Sequence, residues 1–138
     1  MRCVAILVFV LASTTLVFAQ GPCTEAAVKE GKVQVAKNAF SYMPPFGKPV
    51  TGKEAIQDTA EKKFAGRTNV KHSWKSDHRI VTSPSADMAY EHGTMVMSYD
   101  EGGKTQTFKS VILNVYKTNG NVCESVAGTM QPLEEDEH

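Results

Sequence analysis

The run Ala39-Phe40-Ser41-Tyr42-Met43-Pro44-Pro45-Phe46-Gly47-Lys48-Pro49-Val50-Thr51-Gly52-Lys53-Glu54-Ala55-Ile56 holds a strand end, a forced turn and a helix start. Phe40 and Tyr42 alternate with smaller neighbours, as on a half-buried strand. Pro44-Pro45 ends that strand, because proline lacks an N–H and restricts the residue before it. Thr51 followed by Glu54 is a capping box, and Ile56, Ala60 and Phe64 fall on one helical stripe before Gly66. The spacing predicts a helix over Thr51 to Ala65.

Outward from this run the pattern stays consistent. Towards the N-terminus, Val33 and Val35 extend the strand back to Lys32, and Thr24 caps a short helix that Gly31 stops after Glu30. Towards the C-terminus the chain reads as β: Asn69 to Thr82, Asp87 to Tyr99, Thr105 to Lys117 and Asn121 to Met130. Pro84-Ser85, Glu101-Gly102-Gly103 and Asn119-Gly120 supply the turns. One or two helices followed by a meander make an α+β domain, in which a strongly curved antiparallel sheet of four to six strands wraps the helices.

Residues 1–19 read as a signal peptide. Arg2 precedes the apolar run Val4 to Ala12, and Val17-Phe18-Ala19 fits a cleavage site before Gln20. The apolar run is shorter than the ~20 residues of a spanning helix, so no membrane anchor is expected. Residues 20–132 then form one domain, and 133–138 an acidic, solvated tail. The destination is secreted or periplasmic. Formal net charge is zero, with fifteen basic and fifteen acidic residues and no basic stripe, which excludes nucleic acid as a partner. Cys3 belongs to the leader, leaving Cys23 and Cys123. A bridge between them and two separate buried thiols both satisfy the count; a bridge would stabilise by about 4–5 kcal/mol in the chain-entropy treatment.

The strand, double proline, glycine turn and capped helix, together with Asp87-Met88-Ala89-Tyr90-Glu91-His92-Gly93-Thr94 and Val115-Tyr116-Lys117 before Asn119-Gly120, resemble the SnoaL-like proteins of the nuclear transport factor 2-like superfamily. The resemblance covers about Ala39 to Pro132. It implies a cone with an internal pocket, and sheet-to-sheet dimers. The superfamily includes ketosteroid isomerases, cyclases and dehydratases. The resemblance places the isomerase proton shuttle at Met43 and its proton-donating acid near Ile112, neither of which can do that chemistry. Relatives also carry a long first helix where this chain has about a dozen residues, which favours an open mouth or a partner as cover.

Hairpin arithmetic sorts the remaining polar groups. Centring the first turn on Ser85 sets Arg79 opposite Glu91, His78 opposite His92 and Trp74 opposite Val96. The later turns set Met95 opposite Phe108, Tyr90 opposite Leu113, and Asn114 opposite Ser125. Alternation then gives one face with Arg79, Glu91, Met95, Met97, Phe108, Ile112, Asn114 and Ser125, a mix of apolar bulk and convergent polar groups that suits a ligand pocket. The other face holds Trp74, His78, Ile80, Tyr90, His92, Val111, Leu113 and Val126, and is apolar enough to need a cover, which a second copy would provide.

The expectation is therefore an exported domain that binds a small apolar molecule or itself, without catalysis, with Arg79, Glu91, Met95, Met97, Phe108, Asn114 and Ser125 as ligand-binding residues. The alternative is an isomerase, dehydratase or cyclase using Glu91 as base with Asn114 or Tyr42. No cofactor is expected. His72 and His78 lie ~20 Å apart along an extended strand, and His78 and His92 lack a third ligand, so no metal is expected either.

Overall fold

The computed structural model describes residues 21–44 and 47–133; the expected leader (1–19) and the acidic stretch 134–138 lie outside the described residues. The elements are α1 (Glu25–Lys29), β1 (Gln34–Tyr42), β2 (Val50–Thr51), α2 (Lys53–Phe64), β3 (Thr68–Trp74), β4 (Arg79–Thr82), β5 (Met88–Glu101), β6 (Lys104–Asn119) and β7 (Val122–Pro132). Seven strands form one open sheet in the order β2-β1-β7-β6-β5-β3, with β4 also paired to β5. The class is α+β, as the patterning predicts. The sheet is mixed rather than wholly antiparallel, because β1 runs parallel to β7.

Local chemistry explains the element ends. Thr24 accepts a hydrogen bond from the Ala27 amide at 3.1 Å and caps α1. The expected Thr51 cap on α2 is not made: Thr51 sits in β2, and Gly52 is the N-cap with no side-chain bond. Thr51 pairs with Phe40 and Val50 with Ser41, so the residues after the double proline return as a short strand.

The single strand expected over Asn69 to Thr82 is broken in two. Trp74 pairs with Met95 and Arg79 with His92, so residues 75–78 on one side face only 93–94 on the other. This bulge is held by the Lys75 amide donating to the Thr94 carbonyl at 2.8 Å. The Asp77 carboxylate also accepts from the Thr94 amide (3.0 Å) and hydroxyl (2.7 Å). Those bonds, the hydroxyl first, hold the Asp77 carboxyl below the usual carboxylate range. Gly93 makes the crossing feasible: a Cβ there would lie 2.7 Å from His78 Cα.

The turn after β4 also differs from the expectation. It spans Ser83 to Met88, closed by the Ser83 amide on the Met88 carbonyl at 2.9 Å, with Ala86 at φ 52°. Ile80, not Arg79, therefore stands opposite Glu91. A one-residue shift moves a whole strand to the other face. Trp74, His78 and Ile80 accordingly share the face of Glu91, and Arg79 points away, donating to the carbonyls of Ser76 and His78. Farther along, Met97 pairs with Phe108, Tyr90 with Val115, and Asn114 with Gly128 instead of Ser125. Ser125 pairs with Tyr116 beyond a bulge.

Two apolar clusters occupy the inner face. Cys23, Val28, Ala89, Tyr116 and Cys123 form one, with Val33 and Ile80 against it. Ile112 and Met130 centre the other, with Met43, Phe64, Trp74, Met95 and Phe108 packed around them. Cys23 and Cys123 are joined by a disulfide, Cα–Cα 4.9 Å, which ties the segment before α1 to β7.

Candidate functional site

Glu91 lies between the two clusters. Its side chain comes from the middle of β5, beside Ile80 on β4 and Asn114 on β6. It is 8% exposed, and three groups donate to its carboxylate. His78 Nε2 lies 2.9 Å from Oε1; the Tyr116 hydroxyl lies 2.8 Å and the Asn114 amide 3.2 Å from Oε2. Tyr116 belongs to the first cluster, while the His78 ring stacks on Trp74 of the second at 4.2 Å and 7°. One carboxylate thus joins both halves of the inner face. Burial, and then the bond to Glu91, push the Tyr116 hydroxyl well above the ordinary tyrosine range, so it remains a donor.

The arrangement depends on two glycines. Gly93 lets the bulge bring His78 onto this face, and Gly128 leaves room for Asn114, whose Oδ1 would lie 2.8 Å from a Cβ at that position. Sequence reasoning placed Glu91 and Asn114 together, which holds, but gave Glu91 the wrong neighbours. Arg79 is replaced by His78, Tyr116 and Asn114. The signal that could have found His78 was Gly93 in mid-strand, since glycine inside a strand marks a bulge or a close backbone approach.

The other expected site residues divide. Met95, Met97 and Phe108 do share the face of Glu91, but Met95 and Phe108 pack into the second cluster and Met97 is buried. Ser125 stands beside Tyr116 and contacts neither Asn114 nor Glu91 through a hydrogen bond among those described. Tyr42 lies on the opposite, outer face: Ser41 pairs with Gly128, opposite Asn114, and Tyr42 pairs with Thr129. Tyr42 therefore cannot assist Glu91. A cavity of about 90 Å³ lies between α2 and the β1–β2 hairpin, lined in part by Met43, Val50, Ile56 and Phe64, with Lys48 and Lys63 at its edge. Among the described residues no group of three or more His, Cys, Asp or Glu could hold a metal ion.

The outer face carries the other concentration of chemistry. One row of paired positions reads Val81, Tyr90, Val115, Ala127, Phe40; the next reads Arg79, His92, Leu113, Thr129, Tyr42. Phe40, Tyr42, Val81, Met88, Tyr90, Val111 and Leu113 are 39–46% exposed. Among the described residues they are all of the exposed large hydrophobic side chains except Val70 and Leu133. Trp74 and Val126, also expected here, are elsewhere: Trp74 is on the inner face and Val126 in the β7 bulge. A groove of about 460 Å³ runs along one side, lined by Val81, Met88, Tyr90, Leu113 and Val115 among others.

No family model matches the chain, and no curated protein matches it in sequence. Solved structures do match. An association domain of the calcium/calmodulin-dependent protein kinase II type from Xanthomonas campestris superposes with a TM-score of 0.64 over 80% of each chain, at 15% identity. A ketosteroid isomerase-like protein from Erwinia carotovora atroseptica gives 0.60 at 10% identity, over 80% of this chain and 88% of that one. A nuclear transport factor 2-like protein from Cytophaga hutchinsonii gives 0.53 at 19% identity, over 77% and 82%. At these identities the likeness is one of architecture, and by it the chain has the nuclear transport factor 2-like fold.

Proposed function

We propose that this is an exported, self-associating domain that forms a homodimer through the outer face of its sheet. The observation that carries the reading is the apolar row Val81, Tyr90, Val115, Ala127 and Phe40 across the sheet, with exposed Met88, Leu113, Val111 and Tyr42 on the same face. Exposed apolar patches beyond a few hundred Å² mark interaction sites. A stable pairing would bury ~1,200–2,000 Å² in total. A second copy is the occupant favoured here, because one of the similar structures is itself an association domain. The disulfide is consistent with an oxidising compartment, secreted or periplasmic, and no described helix is long and apolar enough to cross a membrane. Sedimentation equilibrium tests the reading: the wild-type chain should be dimeric at micromolar concentration, and Leu113→Asp should make it monomeric without unfolding it. A monomeric wild type at high micromolar concentration would refute it. Mass spectrometry of exported protein tests the leader, with cleavage expected before Gln20.

A small apolar ligand remains part of the reading, now in the space beside Met43, Ile56 and Phe64 rather than among Met95, Met97 and Phe108. About 90 Å³ favours a ligand of only a few heavy atoms. A second reading, an isomerase, dehydratase or cyclase, draws on the His78–Glu91 contact at 2.9 Å, since a carboxylate that orients an imidazole is a common basis for proton transfer. Both oxygens of Glu91 are occupied by donors, which favours a structural role. Turnover of a carbonyl substrate that Glu91→Gln abolishes while the fold survives would promote this second reading.

A further inference from the structure

We infer that the dimer is pH-sensitive, with His92 as the group that loosens it in acid; the inference rests on the self-association proposed above. His92 lies on the outer surface against its apolar residues, with Tyr90 and Leu113 on two sides and Arg79 and Thr94 on the others. Its ring stacks on Tyr90 at 5.8 Å and 22°. A cover that reaches Tyr90 and Leu113 must also cover His92. Histidine is the side chain whose charge changes between pH 5 and 8. Placing an imidazolium under an apolar cover removes its water and requires a charge partner in exchange.

The charges that face His92 do not supply one. On β4, Arg79 stands directly across and adds like charge. In the bulge, the Asp77 carboxylate is already engaged by Thr94 and lies near Arg79. On β6, Leu113 is the facing residue, and Lys109 and Lys117 lie farther along the strand. On β7, Thr129 follows Leu113, and Glu124 is opposite Lys117 and bonded to Asn119. A symmetric dimer also buries two copies of this histidine, so two protons, one per copy, act on the dimer.

The test is sedimentation equilibrium at pH 8 and pH 5.5 on wild type, His92→Gln and, as a control, His72→Gln, with near-ultraviolet circular dichroism to follow the fold. Wild type and His72→Gln should show an apparent dimer Kd that rises about tenfold or more in acid while the folded signal persists. His92→Gln should dimerise about equally at both values. A dimer whose Kd is the same at both pH values, or whose weakening survives His92→Gln, overturns the inference and leaves the dimer standing. Acid weakening that proves to be unfolding also overturns it. A wild type that is monomeric at both pH values refutes the self-association itself, and this inference with it.

Discussion

The two ends of the inner face use similar side chains and reach different degrees of closure. At one end Cys23 and Cys123 are 0% and 2% exposed, and Val28, Ala89 and Tyr116 are buried around them. At the other, Ile112 and Met130 are buried, as are the neighbouring Met97 and Ser110, but Met43, Phe64, Trp74, Met95 and Phe108 are partly open. The first end is covered by a five-residue helix, the second by a twelve-residue helix with no buried residue. Helix length therefore does not set closure. The short helix is held by its cap, by the disulfide and by the Gly21 and Cys23 amides on the 83–88 turn. The long helix rests on partly exposed Ile56 and Phe64 and leaves a cavity beneath it. Covalent and hydrogen-bonded anchorage compensates for a small apolar area.

The largest expected effect tests the tight end. The double substitution of Cys23 and Cys123 by serine should lower unfolding free energy by about 2–5 kcal/mol in urea titration. Phe64→Ala should cost less than the ~3–5 kcal/mol of a fully enclosed phenylalanine. Equal losses would erase the distinction between the ends. Next comes the junction. Gly93→Ala forces a Cβ against the His78 backbone and should cost about 1–3 kcal/mol, and it should also disturb the Trp74–His78 stack, read by indole fluorescence. A change confined to stability, with fluorescence unaltered, would mean that the bulge does not position His78.

Glu91→Gln should cost a further ~1–3 kcal/mol, because the buried amide cannot accept from all three donors. Tyr116 adds an alkaline signature. Its hydroxyl is raised in the folded state, so its contribution is intact below the ordinary value of about 10 and is lost as pH rises above it, where the unfolded chain ionises first. Urea midpoints between pH 9 and 11.5 should fall less steeply in Tyr116→Phe than in wild type. The smallest effects separate the two helices: Thr24→Ala should cost about 1 kcal/mol, and Asp58→Asn, which removes an exposed pair with Lys62, under ~0.5 kcal/mol in the same titration.

Much of this architecture was legible in the chain. The double proline, the glycines at 66 and 120 and the period-two runs placed most elements within a few residues, because turn chemistry and alternation act locally. What the chain did not reveal was phase. Whether His78 or Arg79 meets Glu91 depends on a bulge against Gly93 and on a turn that ends at Met88 rather than centring on Ser85. Both are decided by backbone bonds between strands, such as Asp77 with Thr94, that no single-strand pattern contains. The opposite charges of Arg79 and Glu91 supported the wrong register, since a single cross-strand charge pair is worth too little to fix one. The parallel β1–β7 pairing was hidden for the same reason: it joins strands that lie far apart in the chain.

That parallel pairing also orders events in time. During synthesis the chain emerges from its N-terminus, yet β1 finds its long partner only in β7, and Cys23 finds Cys123 a hundred residues later. The β5–β6 hairpin can form from neighbours, whereas β1 has only short β2 and the segment before α1 only the 83–88 turn until the last strand has appeared. A chain truncated before Val122 would therefore form a central hairpin with β1 lacking its long partner, and closure of the disulfide would report that the final strand was present.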